Sequence, residues 1–289
     1  MSKLREALKN GTFVITGEIA PPKGTSVSKC IHEAEIIKDR VSAVNVTDLQ
    51  SSAMKAGSLA LSKMLLDKNI EPVYQLTCRD RNRLALQSDL LSAAIFGIEN
   101  VLCLTGDFPT LGDHPQARPV FDLDSVQLLQ AAKTLESGVD MAGKALEGNP
   151  RFYLGAVVNP GAIPLELQII KMEKKIKAGA QFFQTQAVYE PEKFAAFVDK
   201  VKHLNVPILA GIVILKSAGM AKFMNTNVAG VSVPDALISR LEKSTDKVKT
   251  SIEITIELIR ELKGLCQGIH LMPLGWSDKI PAILDGAGI

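Results

Sequence analysis

Short, β-branched apolar runs alternate along this chain with longer stretches of helical periodicity. The runs at 13–19, 43–47, 72–77, 100–105, 152–158, 181–185, 207–213 and 268–272 read as strands. Between them lie amphipathic segments such as 165–177, where Leu165, Ile169, Met172 and Ile176 share one face and Gly179 follows as a stop. Val248, Ile252, Ile256 and Ile259 make a second stripe of the same kind, and the connection from 216 to 264 is long enough for several helices, one of them over 234–243. The strands are continuously apolar rather than alternating, which is the pattern of parallel strands covered on both faces. Pro72 and Pro207 stand at first positions of strands, and other Pro and Gly residues gather at strand ends, as in 20–24 and 159–161. Eight strands, most followed by a helix, predict a closed (β/α)8 barrel.

A length of 289 residues suits one such barrel, and no low-complexity linker divides the chain, so 1–289 is read as a single domain. With 46% hydrophobic and 22% charged residues the composition is that of a globular chain. A formal charge of +2 gives no field suited to nucleic acid or an anionic membrane. The first residues, MSKLREALKNG, lack the apolar core of a signal peptide, and no apolar run reaches spanning length, which predicts a cytoplasmic protein. Cys30, Cys78, Cys103 and Cys266 are too scattered for a zinc, iron-sulfur or dithiol site; they read as buried, reduced thiols, and no metal is expected.

Barrels carry their chemistry at the carboxyl ends of the strands. There the sequence places Glu18, Thr47 and Asp48, Gln75 and Thr77, Gly106 and Asp107, Asn159, and Gln184 and Gln186. Carboxylates and amides around one opening suit a polar heterocycle, because both pair with ring N–H groups. Glu18, between PheValIleThrGly and IleAlaProPro, is held on a stiff backbone; a partly buried carboxyl there is suited to acid catalysis, and a structural ion pair is the plain alternative. Gly106 lets a flat ligand approach the backbone beside Asp107, and a simple Gly-Asp turn is the alternative. Lys174 and Lys175 are either a solvated helix face or a contact for a cofactor phosphate.

GlyGluIleAlaProPro at 17–22, GlnLeuThrCysArgAspArg at 75–81, LeuThrGlyAsp at 104–107 and LysAlaGlyAlaGlnPhePheGlnThrGlnAlaValTyr at 177–189 together resemble the methylenetetrahydrofolate reductase family over nearly the whole chain. The resemblance implies a flavin, FAD or FMN, and reduction of 5,10-methylenetetrahydrofolate to 5-methyltetrahydrofolate. It implies Glu18 as general acid, Asp107 beside flavin and folate, and Gln186 on the folate. Thr47, Gln75, Gly106, Asp107, Asn159, Lys174 and Lys175 then fall to the cofactor. Many members carry His at the place of Gln75, Arg at Thr105, an aromatic at Asn159 and Phe at Ala218. Such variants resemble anaerobic reductase subunits that receive electrons from a partner subunit, which puts NADH in question as direct donor and implies an oligomer. A barrel that passes a methyl group between folate and a corrinoid protein, needing no flavin, and a non-catalytic barrel subunit are the other readings.

Overall fold

The computed structural model describes residues 2–289. Its eight parallel strands are β1 (Val14–Ile19), β2 (Ala43–Val46), β3 (Pro72–Thr77), β4 (Asn100–Leu104), β5 (Tyr153–Val158), β6 (Phe182–Ala187), β7 (Ile208–Val213) and β8 (Gly268–Met272). They close in sequence order, β8 pairing with β1, into a (β/α)8 barrel. Every predicted strand is present, with ends within two residues of expectation.

Outside the strands pack α2 (Ser28–Ile37), α3 (Ser58–Leu66), α4 (Arg83–Ile95), α5 (Ser125–Glu136), α6 (Leu165–Lys177) and α7 (Pro191–Val201). The connection from β7 to β8 holds α8 (Ala218–Asn227), α9 (Asp235–Lys243) and α10 (Lys247–Leu262), and α11 (Ile280–Ala287) ends the chain. In α6 the predicted stripe faces the core, with Met172 fully buried. In α10 the stripe holds at Ile252, Ile256 and Ile259, which pack against the core, and is corrected at Val248, which is exposed; the buried face also takes in Ser251, Ile254, Thr255, Leu258 and Leu262. The buried hydroxyls there donate to backbone carbonyls, so their polarity is satisfied locally and an apolar stripe is no guide to that face. Ile256 lies under Gly286 of α11, where any Cβ would sit 2.3 Å from the Ile256 side chain.

A helix that the apolar pattern does not announce, α1 (Lys3–Lys9), closes the bottom of the barrel with Leu4 and Leu8. Those two side chains meet a separate apolar layer that includes Val14, Val73, Leu102, Phe182 and Leu209, one residue from each of several strands. Tyr153 and Phe182 stack in this layer with centroids 5.0 Å apart, over Gly155, whose Cβ would strike the Phe182 ring at 2.3 Å. Because side chains alternate along a strand, the next inward layer lies two residues further on. It is polar: Thr16, Asn45, Gln184 and His270 are all at most 4% exposed. Two residues further still come Glu18, Thr47 and Gln186, and the site is built on them.

Candidate active site

Glu18 sits on β1 directly above the polar layer and is 9% exposed. Its Oε1 accepts a hydrogen bond from Gln50 Nε2 at 3.3 Å, and its Oε2 lies 3.5 Å from His270 Nε2 on β8. No Lys or Arg pairs with it among the described residues; the one basic side chain beside it is the His270 imidazole. Beside it opens a cavity of about 450 Å³ lined by Glu18, Pro22, Lys23, Lys29, Gln50 and Lys55. A larger hollow of about 770 Å³ lies among Arg5, Ile98, Leu146 and Arg151, at the amino ends of the strands and away from these groups. Barrels carry their chemistry at the opposite, carboxyl end of the strands, so the mouth is the candidate site.

The loop after β2 links the two carboxylates singled out in the sequence. Gln50 reaches Glu18, while the Ser52 hydroxyl donates to the main-chain carbonyl of Asp107 at 3.0 Å. Leu49, Ser51 and Ser52 hold positive φ angles of 47°, 54° and 56°, a backbone that non-glycine residues adopt only when neighbours enforce it. Arg79 does the enforcing. It is 2% exposed and donates to Leu49 O (3.2 Å), Ser52 Oγ (2.8 Å) and Asp107 O (3.1 Å), with Asp80 balancing its charge. The main chain of Asp107 is therefore pinned while its side chain stays exposed. Gly106 has φ +97°, and a Cβ there would meet Thr77 Cγ2 at 2.3 Å; the crowding comes from the protein itself, so Gly106 serves the turn.

Asp48, named with Thr47 at the end of β2, is consumed by structure. Its buried carboxylate takes Arg81 at 2.7 Å and the Thr77 N–H at 2.9 Å, and Arg81 also meets Asp89 at 2.8 Å. Thr47 is different: its hydroxyl is buried and has no hydrogen-bond partner among the described residues. Gln75 is 7% exposed, and its side-chain amide likewise makes no hydrogen bond among them. Ser62 and Ser277 share the state of the Thr47 hydroxyl elsewhere in the fold, but Thr47 has it at the barrel mouth, where its hydroxyl is open to a partner from outside the chain. Thr47 and Gln75, with the free carboxylate of Asp107, fit a ligand that offers both donors and acceptors, as an isoalloxazine ring does.

The remaining candidates divide. Gln186 follows a bulge in β6, where Thr185 Oγ1 accepts from Gly211 N at 2.9 Å and a Cβ on Gly211 would stand 2.4 Å from Thr185 O. The bulge re-aims Gln186, whose Oε1 turns back to accept from Ala187 N at 3.1 Å and leaves its Nε2 free. Asn159 is committed to loop structure, donating to Ala229 O at 2.9 Å and accepting from Gly161 N at 3.2 Å. Lys174 and Lys175 do not act as a pair. Lys174 is exposed, whereas Lys175 turns inward and donates to Val157 O at 2.6 Å, its ammonium pushed down to about 8 by burial and by Lys171. All four cysteines are free and buried, and burial drives the Cys78 thiol up to about 12. Sequence reading did not single out Arg79, Ser52, Gln50 or His270. The first lies inside a quoted motif; the others have no local signal, and only the barrel's closure brings His270 beside Glu18.

The fold and the groups gathered at its mouth define a (β/α)8-barrel protein with an acid-and-amide site at the carboxyl ends of its strands. The family model described as methylenetetrahydrofolate reductase matches residues 3–288, and the chain belongs to that family. Methylenetetrahydrofolate reductase 2 of Schizosaccharomyces pombe is 27% identical, over 99% of this chain and 47% of its own length. The 5,10-methylenetetrahydrofolate reductase of Pectobacterium carotovorum subsp. carotovorum is 24% identical, over 99% of this chain and 95% of its own. The chain thus spans about half the length of the fungal relative and nearly all of the bacterial one. Among solved structures, oxaloacetate acetylhydrolase superposes with a TM-score of 0.54 at 11% identity, covering 99% of this chain and 87% of that one, a likeness of fold alone. No helix among the described residues is long and apolar enough to cross a membrane.

Proposed function

We propose that this chain reduces 5,10-methylenetetrahydrofolate to 5-methyltetrahydrofolate with a bound flavin, and that Glu18 is the general acid. The observation that carries the reading is Glu18 itself, a carboxyl buried at the barrel mouth with no Lys or Arg partner among the described residues, in a chain of this family. The flavin, when bound, supplies the hydride for the one-carbon unit. Thr47 Oγ1, Gln75 and Asp107 would meet its ring, and Lys175, rather than the solvated Lys174, would serve its polar tail on exchanging its bond to Val157 O for one to the ligand.

The rest is work for the chain. Opening the methylene bridge breaks one C–N bond with the electron pair going to that nitrogen, while the other nitrogen's lone pair forms a C=N bond to the same carbon. Glu18 delivers a proton to the nitrogen that leaves, so its charge never develops fully. The carboxylate that results stays within reach of Gln50 and His270. Gln186 Nε2, free of internal bonds, is available to hold the folate's ring in register, and the exposed Asp107 carboxylate to accept from its N–H groups.

The test is the visible spectrum of the purified protein, with release and identification of any chromophore, followed by single-turnover reaction with methylenetetrahydrofolate. A yellow protein carrying FAD or FMN whose flavin, once reduced with dithionite, is reoxidised by that folate supports the reading. A colourless protein that neither flavin reconstitutes overturns it in favour of methyl transfer between a folate and a corrinoid protein.

A further inference from the structure

One buried titratable side chain has no part in the chemistry above: His270, 4% exposed, in the polar layer below Glu18. The layer is a directed chain of hydrogen bonds. Asn45 and Gln184 hold each other by two amide contacts, Asn45 Nδ2 to Gln184 Oε1 at 2.7 Å and Gln184 Nε2 to Asn45 Oδ1 at 3.0 Å. Gln184 Nε2 also donates to Thr16 Oγ1, at 3.4 Å. Thr16 Oγ1 lies 2.9 Å from His270 Nδ1, and with the oxygen accepting from Gln184 its own proton is available to Nδ1. A neutral imidazole that accepts at Nδ1 carries its hydrogen on Nε2. Nε2 is the atom that faces Glu18 Oε2.

This chain ends in an amide pair enclosed by the barrel, and amides have no proton to pass on. It therefore orients a ring rather than relaying protons to solvent. The separation of 3.5 Å is too long for a formed hydrogen bond to a neutral carboxyl, and such contacts tighten when charge develops.

We propose that His270 is the positioning residue for Glu18, presenting its Nε2–H to Oε2 so that the transferable proton rests on Oε1, toward which the Gln50 side-chain amide turns its oxygen when the carboxyl is protonated. As that proton leaves Oε1 for the substrate nitrogen, negative charge grows on the carboxyl and the His270 contact shortens into a charge-assisted hydrogen bond. The interaction is strongest after the ground state, so it acts on the rate of the folate step and little on folate binding. The proposal rests on Glu18 being the acid.

The experiment pairs two substitutions. His270→Asn keeps an amide near Thr16 and withdraws the donor from Glu18, while His270→Gln places an amide N–H near the position of Nε2. Single-turnover oxidation of the reduced protein by methylenetetrahydrofolate should slow by roughly 10-fold or more in the Asn variant, its half-saturating folate concentration moving by less than about 3-fold, and the Gln variant should recover most of the rate. In a Glu18→Gln background, His270→Asn should add less than about 2-fold, because there is no longer a proton to position. Nitrogen-15 NMR of the wild-type ring should show a neutral imidazole protonated at Nε2 and accepting at Nδ1, a measurement that needs no variant to fold. A wild-type rate in His270→Asn, equal slowing by Asn and Gln, additive losses with Glu18→Gln, or a ring protonated at Nδ1 each overturn the proposal. A slow Glu18→Gln with a fast His270→Asn removes this inference alone, whereas a fast Glu18→Gln removes the acid reading beneath it.

Discussion

Replacing Glu18 by Gln isolates one proton from the rest of the site. The amide is isosteric with the carboxyl, and both of its neighbours can be served: its oxygen accepts from the His270 side, 3.5 Å away, and its NH2 group faces Gln50, 3.3 Å away, whose own amide turns to offer its oxygen. The buried position is refilled without a cavity or a stranded charge, so the structural loss stays within about 1 kcal/mol. What disappears is the proton for the departing nitrogen. Loss of a general acid slows a step by 100-fold or more, about 2.7 kcal/mol of barrel-mouth stabilisation of the transition state. Stopped-flow measurement of each half-reaction separates the two roles. Flavin content and dye-driven flavin reduction should be nearly normal in Glu18→Gln, and oxidation of the reduced protein by methylenetetrahydrofolate should fall by at least about 100-fold. A folate half-reaction at wild-type speed would make Glu18 a structural carboxyl and remove the core of the mechanism.

Asp48→Asn leaves the half-buried Arg81 with only Asp89, and urea titration should show a loss of about 2 to 3 kcal/mol, below the full value for breaking a buried pair because one partner remains and Arg81 is partly solvated; an unchanged midpoint would mean the pair contributes nothing. Lys175 titrates lower when folded than the ordinary lysine value of 10.5, so from about pH 8 to pH 10.5 the unfolded chain binds a proton that the folded one does not, and this group adds stability as pH rises. Lys175→Met should flatten that rise in denaturation experiments at pH 7.5 to 10, while Lys174→Ala, on the solvated face, should not; parallel wild-type and Met curves would contradict the burial argument. Ala218 opens α8 where many members carry an aromatic ring, so NADH should reduce the isolated protein's flavin slowly while small dyes reduce it readily; rapid stoichiometric bleaching by NADH would refute this.

Much of the barrel was legible because its strands obey a local rule. Each is a short apolar run bounded by turn residues, and parallel strands covered on both faces need nothing more to declare themselves. Period-two alternation then places Glu18 and Thr47 on the inner surface near the carboxyl ends without any coordinates, whereas Gln186 is aimed by the bulge in β6. The stripe on α10 was read too narrowly because its buried face also carries Ser251 and Thr255, whose hydroxyls find carbonyl acceptors within the helix itself. An apolar pattern cannot report polarity that is satisfied internally. Nor could it reveal α1 as the floor of the barrel, since Leu4 and Leu8 acquire that role only once the strands have closed.

The sequence by itself determined the residue types at each strand end, the order of the elements and the motifs that mark the family. Tertiary structure decided which of those residues have work left to do. Asp48 and Asn159 look as available in the sequence as Thr47 and Gln75, but the folded chain supplies partners to the first two and withholds them from the others. Lys174 and Lys175 are adjacent, yet the helix turns one to solvent and the other onto Val157 O. His270 stands 252 positions from Glu18 and comes within 3.5 Å of it only because β8 pairs with β1. Hydrogen bonding is settled by proximity in space, and in a closed barrel the nearest neighbours of the first strand belong to the last.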